Sequence, residues 1–174
     1  MKAAQFNLLT AKNYPDISSR ILATKNIRAE LKLCFPGVKF SIKSDSFAGG
    51  DSIDVHWVDG PTYTQVGDII SKYQYGSFNS MEDMYEYTNG NFCSVFGGAK
   101  YVHYNRSVSD KLLSKAIAVV NTIWKRADEA HATIEEFNEG VLDRRYFQGN
   151  SSEPITRLVR NYVSGVSEFN TIDG

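Results

Sequence analysis

FPGVKFSIKSDSFAGGDSIDVHWVDGPTYTQVGDIISKYQY, residues 35–75, decides the fold class. Val38, Phe40 and Ile42 alternate with Lys39, Ser41 and Lys43, and Ile53, Val55 and Trp57 alternate with Asp54, His56 and Val58. A period of two marks half-buried strands, each with one apolar face. The segment between them, Ser44 to Asp51, is too long for a two-residue turn and is built from residues that accept positive φ or bond their own backbone, which predicts a projecting loop. Asp59-Gly60-Pro61 breaks the second strand, and Thr62 with Gln65 has the spacing of a capping box. A helix is predicted from Thr62, its stripe of Val66, Ile69, Ile70 and Tyr73 covering the apolar face of the hairpin.

Working outward, Phe35-Pro36-Gly37 closes a helix predicted from Ile17 to Cys34, capped by Asp16 and interrupted near Thr24 to Asn26. Residues 1–15 read as an irregular arm. Downstream, Met84 to Tyr87 and Ala99 to Tyr104 have strand composition and are predicted to form a second hairpin, joined by a loop holding Asn89-Gly90 and Gly97-Gly98. The expected fold class is α+β: an antiparallel sheet of two hairpins with helices packed on one face, followed by a helical C-terminal region. The strongest helical period runs from Asp110 to Ala130; a short helix is expected within 131–150, another from Glu153-Pro154, and a fraying tail over 164–174. The composition shift near residue 108 divides the chain into 1–108, an α+β domain with its N-terminal arm, and 109–174, a helical region expected to pack on the same core.

The charge balance restricts what the protein can bind. Nineteen basic and twenty acidic residues in 174 give a formal charge of -1, without the basic excess of a general phosphate-backbone binder or the acidity of a nucleic-acid mimic. Cys34 and Cys93 lie far apart with no ligand spacing, which predicts buried free thiols and no metal. No apolar run approaches the roughly 18 residues of a membrane span. Together with an amino terminus that does not read as a secretion signal, this predicts a cytoplasmic protein with no membrane partner.

Catalytic signals are sparse. Asp54 and His56 share a strand face and are the one enzymatic pairing that the pattern offers, as acid and base, but no nucleophile motif accompanies them. His103 falls on the opposite strand face from Val102 and Tyr104, and His131 follows a polar helix end. Gly49-Gly50 and Gly97-Gly98 lack the framing of a phosphate loop and read as turn chemistry. Glu82, Asp83 and Glu86 cluster without a compact oxygen-ligand loop. Neither a catalytic residue set nor a cofactor is therefore expected. Ten tyrosines supply contact area with a polar tip, as interfaces use.

The blocks FPGVKFS and AGGDSI, with QYGSFNSMEDMYEY and KYVHYNRSVS downstream, resemble the large polyvalent protein-associated domain family numbered twenty-nine, over roughly Asn26 to Ser109. The resemblance implies a phage or conjugative-element protein, in a family some of whose members are linked with countering host defence, and it transfers no catalytic residues. The favoured expectation is a non-enzymatic protein that binds and inhibits a bacterial host defence complex, an anti-CRISPR being one form. Its partner-binding residues would be Phe47, Tyr75, Tyr85, Asp54 and His56. The alternative is a nucleic-acid-binding accessory module using Lys39, Lys43, Arg106 and Arg157.

Overall fold

The computed structural model describes residues 7–79, 81, 84–125, 129–147 and 153–165, with 77–79, 84 and 85 described by backbone alone. The contacts divide the chain between Arg106 and Ser107 into two compact units. In chain order the elements are α1 (Ser19–Cys34), β1 (Ser41–Phe47), β2 (Gly50–Val58), α2 (Tyr63–Ile70), β3 (Ser77–Asn79), β4 (Met84–Glu86), α3 (Gly90–Phe96), β5 (Tyr101–Ser107), α4 (Asp110–Trp124), α5 (Ile134–Asn138) and α6 (Ile155–Gly165). Single 3-10 turns follow α2 at Ser71–Tyr73 and α5 at Val141–Asp143. The class is α+β.

The first unit is built on a three-stranded sheet in the order β1-β2-β5. β1 and β2 pair antiparallel in a register that runs from Ser41 opposite His56 to Phe47 opposite Gly50. The ladder therefore continues through most of the stretch expected to be a projecting loop, and only Ala48 and Gly49 turn. The polar residues of Ser44 to Asp51 are compatible with strand because each stays at least partly exposed, while their backbone groups gain ladder partners. Gly50, at φ 145, sits at the close of the turn in a conformation that L side chains rarely adopt.

The second hairpin differs from expectation. Met84–Glu86 does form a strand, but its partner is Ser77–Asn79, in a separate two-stranded sheet. The strand predicted at Ala99 to Tyr104 instead joins β2, making the sheet mixed rather than wholly antiparallel. Its direction is visible from the ends: the amide of Lys100 donates to Asp51 Oδ1 at 2.7 Å, and Arg106 Nε donates to the carbonyl of Asp59 at 3.0 Å. Parallel neighbours need a long crossover, and α2, the small β3-β4 sheet and α3 fill it. Part of that crossover, the loop containing Asn89-Gly90, is the helix α3; its seven residues, between Asn89-Gly90 and Gly97-Gly98, are fewer than a periodic pattern needs to read as a helix.

One face of the sheet carries the core. Ile53, Val55 and Trp57 are buried while Asp54, His56 and Val58 between them are exposed. Against the apolar face lies α1, with Leu22, Ala23, Ile27 and Leu31 buried, and α2 brings Val66 and Ile70. The capping box at Thr62 and Gln65 forms in both directions, 3.2 Å and 2.8 Å. α1 is unbroken through Thr24 to Asn26 because these polar residues find partners without leaving the helix. Thr24 Oγ1 donates to the carbonyl of Arg20, and Asn26 exchanges hydrogen bonds with both backbone groups of Leu9 while donating to the carbonyl of Phe96.

Among the described residues of this unit, Glu30 is the deepest charge, fully buried on α1. Its carboxylate accepts from Lys72 Nζ at 2.6 Å and from the Tyr73 hydroxyl at 2.8 Å. Gly97 holds the other end of α1, at φ 81 and so close that a Cβ would stand 2.3 Å from the carbonyl oxygen of Ser19.

The second unit has its own core, in which Leu112, Leu113, Ala116, Ile117 and Val120 of α4 cluster with Ile155, Leu158, Val159 and Val163 of α6. Ser109 caps α4, accepting from the amide of Leu112 at 3.2 Å. The helix ends at Trp124, with Lys125 already extended, short of the Ala130 expected from its period. Buried Asn121 holds the return segment by accepting from the amide of Ala132 and donating to its carbonyl, both at 2.9 Å. The ends of the chain, 1–6 and 166–174, are outside the described residues.

Glu30→Ala leaves the buried Tyr73 hydroxyl without its acceptor, while the partly exposed Lys72 ammonium keeps water and the Tyr73 and Phe92 rings beside it. We expect it to cost about 2 kcal/mol in urea-denaturation stability, whereas Glu135→Ala on the exposed side of α5 leaves the midpoint nearly unchanged.

Candidate functional site

The outer face of the β1-β2-β5 sheet is where the sequence-derived residues gather. Strand alternation sends Lys43, Asp45 and Phe47 of β1, Asp54 and His56 of β2, and Tyr101 and His103 of β5 to this side. Phe47, Asp54 and His56 thus share one surface, and all three are exposed.

Three rings run across this surface. Phe47 and Tyr101 lie 6.2 Å apart between centroids at an interplanar angle of 16°, and Tyr101 and His103 lie 5.9 Å apart at 9°. Phe47 is 48% exposed. Phe47 and Tyr101 come from the two outer strands and meet because the central strand offers Gly50, without a side chain, opposite Phe47. The stem of Lys100 uses the same gap; a Cβ on Gly50 would stand 2.7 Å from its Cδ. The ammonium of Lys100 donates to the carbonyl of Gly49 at 2.8 Å and lies 5.3 Å from the Tyr101 ring centroid. The carboxylates nearby each have an internal donor: Asp45 takes the amide of Ser46, Asp51 the amide of Lys100, and Asp54 the hydroxyl of Ser52.

Other sequence-derived residues fall elsewhere. The Tyr75 hydroxyl donates to Ser19 Oγ at 3.0 Å beside the start of α1; burial pushes this phenol up, with the Ser19 hydrogen bond opposing. Tyr85 belongs to β4, and its side chain is outside the described residues. Lys39 is exposed on the approach to β1. Arg106 braces the turn after β2 through the carbonyls of Asp59 and Gly60, and Arg157 lies in the second unit, paired with Glu153 at 3.3 Å. Of Glu82, Asp83 and Glu86, the first two are outside the described residues.

A separate cleft of about 310 Å³ is lined by Ser19, Leu22, Tyr75 and Cys93. Its polar atoms are spent on one another: Ser19 Oγ accepts from Tyr75 and from the amide of Gly98 and donates to the carbonyl of Gly98. Burial pushes the Cys93 thiol up to about 11, far from a reactive thiolate at neutral pH. Cys34 is half-buried and likewise raised, by burial first and then by Glu30. Among the described residues, no group of three or more His, Cys, Asp or Glu is arranged to hold a metal ion, and no helix is long and apolar enough to cross a membrane.

Tyr101 and His103 were not joined to this surface by sequence reasoning. The alternation of Tyr101, Val102 and His103 already separated the two rings from the core. Placing them beside Phe47 required knowing that β5 pairs with β2.

Fold and face together define a class: a small α+β domain with helices on one side of its sheet and an aromatic row on the other. The particular family follows from comparison, because the family described as large polyvalent protein associated domain 29 matches residues 18–109, slightly more than half of the chain, from the start of α1 to the end of β5. The chain belongs to that family and is a phage- or mobile-element-associated protein. No curated protein and no solved structure matches it.

Behind the face, the Tyr104 ring of β5 packs on Tyr63 of α2, with centroids 4.2 Å apart. Burial, helped by the hydrogen bond with Tyr63 and the charge of Asp68, pushes its hydroxyl from 10 up to about 12. The fold therefore favours the neutral phenol, and the stability this contributes is full below pH 10 and is lost as pH rises through about 12. Denaturation midpoints measured in steps across that window should fall for the wild type, and less steeply for Tyr104→Phe, which has no proton to lose.

Proposed function

We propose that this mobile-element protein is a non-enzymatic binding module whose bare sheet face takes nucleic acid, as an accessory of the element that encodes it. The observation that supports this reading is the row Phe47–Tyr101–His103, with Lys100 at its margin and Lys43 on the same face. Ring faces beside lysines are the combination on which nucleic-acid-binding sheets rely. This reading keeps the exposed Lys39 and Lys43 of the basic set expected from sequence and adds Tyr101 and His103, since Arg106 and Arg157 are engaged at a turn and on a helix. Function as a binder also fits Ser19, whose hydroxyl is fully engaged, and Cys93, whose thiol is kept protonated.

A second reading keeps the favoured expectation from sequence, that the same face docks on a bacterial host defence complex and inhibits it, with an anti-CRISPR as one form. Its support is the charge balance of the face, where Lys43 stands opposite Asp54 across the β1-β2 ladder. A half-exposed Phe47 in mixed-charge surroundings has the make-up of a protein hot spot. Localisation in the host cytoplasm belongs to either reading.

Affinity capture of the tagged protein from a bacterial lysate, with and without nuclease, separates the two. Recovery of nucleic acid together with proteins that disappear after nuclease supports the accessory module. A nuclease-resistant host complex at near-stoichiometric yield, lost with Phe47→Ala, supports the inhibitor and counts against the first reading.

A further inference from the structure

We infer that the sheet face is a platform for unpaired nucleic acid, with bases stacking on Phe47 and Tyr101 and the row continued by His103; this rests on the nucleic-acid reading above. The geometry narrows the ligand. In a duplex the base faces are covered by their neighbours, so only an unpaired strand can offer them to protein rings. The steps along the row, 6.2 Å and 5.9 Å, exceed the ~3.4 Å rise of stacked bases along one strand, so that successive bases are pulled apart and meet one ring each.

The electrostatics agree with this choice. Lys43 is exposed and makes no ion pair among the described residues, and the Lys100 ammonium lies over the Tyr101 ring, 5.3 Å from its centroid. Against these two cations stand Asp45 and Asp54 on the same face, so the field is nearly balanced. A duplex, held by phosphate attraction alone, finds little here. A single strand adds stacking, which does not depend on excess positive charge.

The sequence places a device under this row. Gly50 keeps the centre of the platform free of a side chain and leaves the channel in which the Lys100 stem lies. That arrangement holds the two outer strands' rings close enough to act as one surface.

The test is fluorescence anisotropy of the full chain with a labelled oligothymidylate, alone or annealed to oligoadenylate. The single strand should bind at least about tenfold more tightly than the duplex. Phe47→Ala and Tyr101→Ala should each weaken it about tenfold or more, the scale of a lost base stack, while Tyr101→Phe keeps the ring and retains binding. With two cations in play, log affinity against log salt should have a slope of about -1.4. Unchanged thermal midpoints for the Ala variants keep the comparison free of unfolding. Equal or tighter binding of duplex, or no loss in both Ala variants, overturns the unpaired-base platform and leaves the nucleic-acid reading standing. Absence of binding to either form overturns both.

Discussion

The buried carboxylate of Glu30 is the constraint on which the first unit depends. A charge taken out of water at this depth costs several kcal/mol unless both oxygens find strong donors. Here one oxygen meets the Lys72 ammonium and the other the Tyr73 hydroxyl, both from the turn that follows α2. The arrangement also presses on its partners, since burial and the neighbouring Glu30 push the Tyr73 phenol far above the ordinary tyrosine range. The position of α1 is thereby tied to the start of the crossover. Asn26 repeats the device one turn earlier, joining α1 to the residues around Leu9 and to the end of α3. A helix fastened by directional bonds on its flank, as well as by apolar burial, has one way to lie against the sheet.

That fixed placement frees the opposite face. With α1 and α2 committed to the Ile53–Val55–Trp57 side, the core needs nothing from the other, and Phe47, Tyr101 and His103 lie outside it. Edge protection follows from the same helix: Arg28 donates to the backbone carbonyl of Ile42 at 3.3 Å, and Arg20 to the Ser44 hydroxyl at 3.1 Å. Charged side chains laid along an outer strand discourage pairing with another chain's edge.

Much of the local structure was legible in particular residues. The Thr62 and Gln65 spacing marked the start of α2, the alternation around Ile53 to Trp57 marked the faces of β2, and the apolar period from Leu112 to Val120 marked α4. The errors have a common cause. Ser44 to Asp51 looks like a loop because its polar residues are judged without their ladder partners, and α3 looks like a loop because its seven residues, framed by Asn89-Gly90 and Gly97-Gly98, are too few to define a period. The pairing of Met84–Glu86 with Ser77–Asn79, and of Tyr101–Ser107 with β2, is a choice among distant partners that no local pattern encodes.

By itself the sequence determined which side of each strand is apolar and where most helices begin, because side-chain alternation and capping are properties of neighbours along the chain. It also carried the family, through the blocks FPGVKFS and AGGDSI. Only the tertiary structure decided that β5 lies parallel beside β2. That pairing brings Tyr101 and His103 to Phe47 across the gap at Gly50, and it turns exposed rings more than fifty residues apart into one surface. The reason is physical: a parallel neighbour is reached through a long crossover, and the packing of that crossover on α1, with Glu30 and Gly97 as its tight points, selects the partner strand.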